Sequence, residues 1–245
     1  MILKEVNNFA RSSKESIRNY EYQKIKKINP QIIFAALLTQ SVSFLFFLFV
    51  GRYEKTEQIL TNFIGIIALS TTVTLCILSL LGAIFIRKYI VQLYVGNQRA
   101  RTFLFPIKRS QLFLKKNVAF STIFVRGVGI SLLLSYFIEV PLYILIGEGV
   151  KLNLWVLIQS FVIKLTCLLL LLGIVTVSEI VAIRLQSEIS TIITAVIGIT
   201  LVANLSVLGS FNLTMITFLA CLITVVMVIA ALLKTGYWID KSEVK

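Results

Sequence analysis

The chain contains no histidine among its 245 residues. That removes the side chain most used as proton shuttle, general base and metal ligand near neutral pH. It argues against intramembrane metalloproteases and against His-dependent prenyl-protease-like enzymes. Acidic residues are scarce as well, with 11 Asp+Glu against 24 Lys+Arg and a formal net charge of +13. Cys76, Cys167 and Cys221 are the only cysteines, and each stands in an apolar run. A disulfide framework is therefore not expected, and the three read as small buried hydrophobes. No G-x-x-x-x-G-K-[ST] phosphate loop occurs. The first 31 residues are polar and charged, without the apolar core of a secretory signal.

Apolar sequence makes up most of the rest. Hydrophobic residues account for 58% of the chain and the mean hydropathy is +0.92, whereas soluble domains run at about 45–50% apolar. An all-α integral membrane protein is expected. A span needs about 20 apolar residues to cross about 30 Å of hydrocarbon. Six stretches qualify, at 32–50, 59–86, 118–147, 153–183, 189–208 and 212–233. Pro141 predicts a kink or a broken end in the third. Trp155 and Trp238 fall near the ends of spans and read as interfacial anchors.

Charge placement sets the expected topology. Lysine and arginine crowd the N-terminal segment, the segment between the second and third spans, and the C-terminal tail at 234–245. The alternate loops hold only Arg52, Lys55 and Lys151. By the positive-inside rule both termini are cytoplasmic. The excess of positive charge thus follows topology and does not imply nucleic acid as a partner. Residues 1–31 place Val6, Phe9, Ile17, Tyr20, Ile25 and Ile28 on one broad helical face, with Pro30 ending the helix before the first span. An amphipathic helix lying on the inner leaflet is expected; the plainer alternative is a solvated basic tail that attracts anionic lipid.

The segment between the second and third spans is basic throughout, from Arg87-Lys88 through Arg99 and Arg101 to Lys115-Lys116. Within it Pro106 stops any helix extending from the second span. Ser110, or Lys108-Arg109 just before it, opens a short new helix over about 106–116 that presents Leu112, Phe113 and Leu114 among Lys108, Arg109, Lys115 and Lys116. Apolar knobs within a cationic rim suit an acidic groove on a soluble partner. A purely topological role explains the charge but not the proline and short helix.

Residues 104–116, Leu-Phe-Pro-Ile-Lys-Arg-Ser-Gln-Leu-Phe-Leu-Lys-Lys, resemble the Pro-[Val/Ile]-[Ser/Lys]-Arg-x-x-[Ile/Leu]-Phe segment of ABC-type-2 exporter permeases. The wider plan of interfacial helix, six spans and cytoplasmic ends is similar to that family too. The resemblance implies that Pro106, Lys108, Arg109, Leu112, Phe113 and Lys116 belong to a coupling helix docked on an ABC ATP-binding subunit. ATP and Mg would then be bound by that partner, and this chain would be a non-catalytic subunit with no cofactor of its own. It implies further a second permease subunit, identical or related, and a bacterial plasma-membrane location. The expected substrate is an amphipathic or antimicrobial peptide, exported or pumped out for self-immunity. The rival reading is an ATP-independent immunity or sensor protein that binds a peptide.

Four charges fall inside the spans: Arg126, Glu139, Lys164 and Glu179. Each is costly in hydrocarbon and needs a partner. Spans three and four form an antiparallel hairpin, in which residues at equal depth have position numbers of constant sum. Arg126 with Glu179 and Glu139 with Lys164 nearly share that sum, so two ion pairs are expected across the hairpin. They either fix helix packing or line a route for a polar substrate. Gly127, Gly129 and Ser131 beside Arg126 would permit close helix approach.

Overall fold

A computed structural model of the chain describes residues 22–23, 25–53, 58–95, 109–146, 153–212 and 214–241. These residues are helical, with no strand among them. Six long helices follow in order: α1 (Asn29–Tyr53), α2 (Phe63–Ile86), α3 (Arg109–Ile146), α4 (Leu154–Arg184), α5 (Ser190–Asn212) and α6 (Thr214–Lys241). A short helical turn, Gln58–Thr61, precedes α2, and a π turn, Arg87–Val91, followed by Gln92–Val95, prolongs it. Five helical stretches are long and apolar enough to cross a membrane: Asn29–Tyr53, Phe63–Val95, Arg109–Ile146, Leu154–Arg184 and Thr214–Ile239. Within α5, Ser190–Ala203 is a shorter apolar stretch.

Helix ends match the sequence expectation in part. The expected break before the first span is present: helical residues run to Lys26, a turn follows at Lys27–Ile28, and Pro30 lies in the first turn of α1, where its missing N–H has no partner to lose. Most of the expected interfacial helix lies outside the described residues. Of its apolar face, Ile25 and Ile28 are buried while Lys26 and Lys27 are exposed. Pro141 lies inside α3, which continues through it to Ile146. The α4–α5 turn is a Schellman closure: the N–H of Ser187 bonds Ala182 O at 3.1 Å and that of Gln186 bonds Ile183 O at 3.3 Å. Gln186 takes the left-handed conformation this requires, with φ 52°.

The largest departure concerns the expected docking helix. Pro106 and Lys108 lie outside the described residues. Arg109 and Ser110 begin α3, and the helix runs unbroken for 38 residues. Leu112 and Phe113 form its first turns and are not knobs presented to a partner. Phe113 is wholly buried, packed edge-on against Tyr94 with ring centroids 5.4 Å apart. Leu112 and Lys116 are buried as well. The reason is physical: α6 reaches back to cover this end, with Gly236 close against Phe113 and Leu114.

Packing is not pairwise along the chain. α2 lies among α1, α4 and α5; α4 packs on α2, α5 and α6; α3 packs mainly on α1. The sequential pair α3 and α4 meets along a narrow seam only. Between the long helices the tightest approaches are at Gly127 and Gly82. A Cβ at Gly127 would lie 2.9 Å from Asn29 Oδ1 and 3.0 Å from Ile32 Cγ2 of α1, and one at Gly82 would lie 2.6 Å from Val175 Cγ2 of α4. Ser131 adds a hydrogen bond from its Oγ to Ile33 O at 2.9 Å. Gly129 has open space where a Cβ would go.

These glycines separate by substitution. Gly82→Ala forces the stiff Val175 side chain aside and is expected to destabilise by about 1–3 kcal/mol. Gly129→Ala is expected to be neutral or to stabilise by up to about 1 kcal/mol, since it only removes helix-interior glycine. Thermal unfolding of the purified variants in detergent checks both.

Candidate functional site

The interior holds three apolar clusters, one of them (Leu75, Ala83, Cys167, Ile174 and Ala195) joining α2, α4 and α5; the other two are separated along four helices by a group of polar residues. Of these two, one gathers Ala36, Leu78, Leu132 and Leu171 with Phe113, Phe120 and Phe124. The other gathers Phe44, Ile67, Tyr143 and Ile163 with Phe63 and Leu48. On each helix the residues between the two clusters include polar ones: Gln40 on α1, Ser70 and Thr74 on α2, Ser135 and Glu139 on α3, Lys164 on α4. All six are buried.

They form one connected network. Lys164 Nζ contacts Glu139 Oε2 at 2.5 Å. The same ammonium donates to Ser135 Oγ at 2.9 Å and to Leu132 O at 3.3 Å, and it faces the Tyr136 ring at 5.4 Å from the centroid. Glu139 Oε1 accepts from Gln40 Nε2 at 2.8 Å. Gln40 Nε2 also reaches Ser70 Oγ at 3.2 Å, and Gln40 Oε1 accepts from Thr74 Oγ1 at 2.7 Å. The carboxylate and the ammonium cancel, so the layer is polar without net charge. A small cavity with room for about one water adjoins it, lined by Thr71, Thr72, Leu75, Ile163, Thr166, Cys167 and Leu170.

The second expected pair does not form. Arg126 is exposed and its Nη1 donates to Tyr22 Oη at 3.2 Å. Glu179 is fully buried and accepts instead from Asn117 Nδ2 at 2.8 Å. Equal depth on a hairpin fixes height but not direction around the helix. Arg126 turns toward the segment before α1, while Asn117 faces α4. Two groups that charge alone did not single out, Gln40 and Asn117, occupy the partner positions. Each is a polar amide in or beside an apolar run, and that is the signal by which they are found.

A third polar contact ties the end of α2 to the α4–α5 turn. Glu188 Oε2 accepts from Arg87 Nη2 at 3.3 Å and from Gln92 Nε2 at 3.1 Å. The π turn at Arg87–Val91 sets the direction of both donors. Among the described residues no cluster of His, Cys, Asp and Glu is placed to hold a metal ion. Comparison with family models, with curated proteins and with solved structures finds no match.

The charge layer makes a clear prediction. Lys164→Met alone leaves Glu139 buried and uncompensated, and is expected to cost about 3–5 kcal/mol. Adding Glu139→Gln restores neutrality and keeps an acceptor for Gln40, so the double variant is expected to recover most of that loss. A double-mutant cycle on unfolding in detergent measures the coupling.

Proposed function

We propose that this chain is the membrane-embedded permease subunit of an ATP-driven ABC exporter, with six spans and both termini on the cytoplasmic side. The observation that supports the reading most directly is the length of α3. At about 1.5 Å per residue its 38 residues extend about 57 Å, nearly twice the roughly 30 Å of hydrocarbon. The surplus falls naturally at the Arg109 end, where Lys115 and Lys116 also lie, while the Ile146 end is apolar. A single unbroken helix thus joins the basic segment that resembles a coupling element to the buried Glu139. A push delivered at one end is transmitted to the charge layer without a flexible joint between them.

On this reading the partner subunit binds ATP and Mg, and a second permease subunit completes the pathway. Because Phe113 and Leu112 are engaged inside the bundle, contact with the ATPase falls to the cationic residues, Lys108 and Arg109 first. The exposed apolar surfaces of α1, α3 and α6, such as Phe46, Phe137 and Met227, face lipid or the second permease subunit. Buried ionisable groups in a spanning bundle mark functional positions by default, and the Glu139–Lys164 layer is where a peptide-conducting rearrangement would have to act. The substrate class, an amphipathic or antimicrobial peptide, rests on the resemblance of residues 104–116.

The test is purification of the full chain from native membranes in mild detergent, with ATP hydrolysis measured in the eluate. The double variant Lys108→Glu/Arg109→Glu is expected to lower co-eluting hydrolysis at least about tenfold, equivalent to about 1.4 kcal/mol of docking energy, with the unfolding temperature unchanged. A chain that elutes without ATP hydrolysis in both forms overturns the exporter reading in favour of an ATP-independent immunity or sensor protein.

A further inference from the structure

The contact between Glu179 and Asn117 is incomplete in a specific way. Asn117 Nδ2 donates to Glu179 Oε1 at 2.8 Å and to Phe113 O at 3.3 Å, which uses both of its hydrogens. Two oxygens remain, Glu179 Oε2 and Asn117 Oδ1; both are buried and neither has a hydrogen-bond partner. The contact therefore holds two unsatisfied acceptors and no donor. Each such group left dry costs about 1–3 kcal/mol, more when charged.

Among the described residues, several charged side chains on the surrounding helices have partners other than Glu179. Arg87 at the end of α2 lies on Glu188, and Lys88 lies over the Tyr89 ring. On α3, Arg126 bonds Tyr22. On α4, Lys164 pairs with Glu139 and Arg184 is exposed. α5 has no charged residue, and Lys234 of α6 is exposed.

We propose that Glu179 and Asn117 form a proton-binding site, occupied in the conformation described. One proton on Glu179 Oε2 supplies the missing donor. Oδ1 shares a carbon with the donating Nδ2, and Oε2 shares one with the accepting Oε1. The protonated carboxyl and the amide then close a two-hydrogen-bond ring, Nδ2–H to Oε1 and Oε2–H to Oδ1. A single hydrogen satisfies both orphan atoms and removes the buried charge. The stoichiometry favours a proton over a metal ion, since hard cations gather six or more oxygens and only two are free here. Loading takes the proton from water, and unloading returns it there. Because Asn117 is on α3 and Glu179 on α4, opening the seam between these helices admits water to the carboxyl and releases the proton. The site stands independently of any ATP-binding partner.

Infrared difference spectroscopy on the purified full chain in lipid nanodiscs at pH 7 tests this. The carbonyl-stretch band of a protonated carboxylic acid is expected in the wild type and in the charge-neutral double variant Lys164→Met/Glu139→Gln, and is expected to be lost in Glu179→Gln. In Asn117→Leu it is expected to move to higher wavenumber as its acceptor is removed. Spectra of wild type and Glu179→Gln that coincide in this region overturn the proposal. Unfolding gives a second readout that does not depend on band assignment. Gln at position 179 reproduces both hydrogen bonds of the neutral ring, so Glu179→Gln is expected to unfold within a degree or two of wild type. A large drop would mean that the native group is an ionised carboxylate, and would sink the idea.

Discussion

An ammonium group shut away from water governs much of this bundle. Lys164 is satisfied only because three atoms of α3, a carboxylate oxygen, a hydroxyl and a backbone carbonyl, converge on it. The Coulomb attraction repays desolvation only when geometry is good and the remaining hydrogen-bonding capacity is filled. That condition fixes the height of α3 against α4, although the two helices share little other surface. It also fixes α1 and α2, because the second carboxylate oxygen is held by Gln40, and Gln40 in turn by Ser70 and Thr74. An apolar seam would tolerate sliding by a fraction of a turn; this one does not, since a displaced Lys164 loses every partner together.

The layer lies between two of the three apolar clusters, and these two have different tasks. The compartment containing Phe113, Tyr94 and Ile239 anchors the start of α3 against the ends of α2 and α6. The other, containing Phe63, Tyr143 and Phe44, joins the opposite ends of α1, α2 and α3. Tyr143 also donates through Oη to Thr61 O at 3.3 Å. Motion that preserves both compartments must therefore occur as whole-helix tilting, with the polar layer as the place where partners change.

The apolar runs were readable from the sequence because hydrophobic segments of this length leave few alternatives to helices. The Glu139–Lys164 contact was readable because each charge needed the other and their heights agreed. The same argument misplaced Arg126 and Glu179. Height along a helix follows from residue number, whereas direction around it depends on which neighbours each helix faces, and α3 faces α1 more than α4. Phe113 differs from its sequence expectation for a related reason. An aromatic residue between lysines looks like a docking knob in one dimension, but α6 returns from far along the chain to cover it. Gln40, Ser70 and Thr74 carry no charge to mark them in the sequence, although a carboxylate needs more than one partner in a dry interior.

The close contact at Gly127 gives α3 a fulcrum. Gly127 touches α1 at Ile32 and Asn29, 18 residues from Arg109 and 12 from Glu139 along an unbroken helix. At about 1.5 Å per residue the two arms measure about 27 Å and about 18 Å. The mechanical advantage is then about three to two, and the arms swing in opposite directions. A sideways displacement of about 3 Å at Arg109 would carry Glu139 about 2 Å the other way, enough to take a hydrogen bond of about 2.9 Å beyond its working range. A glycine chosen for close packing thereby sets the gearing between the basic end of the molecule and its buried charges.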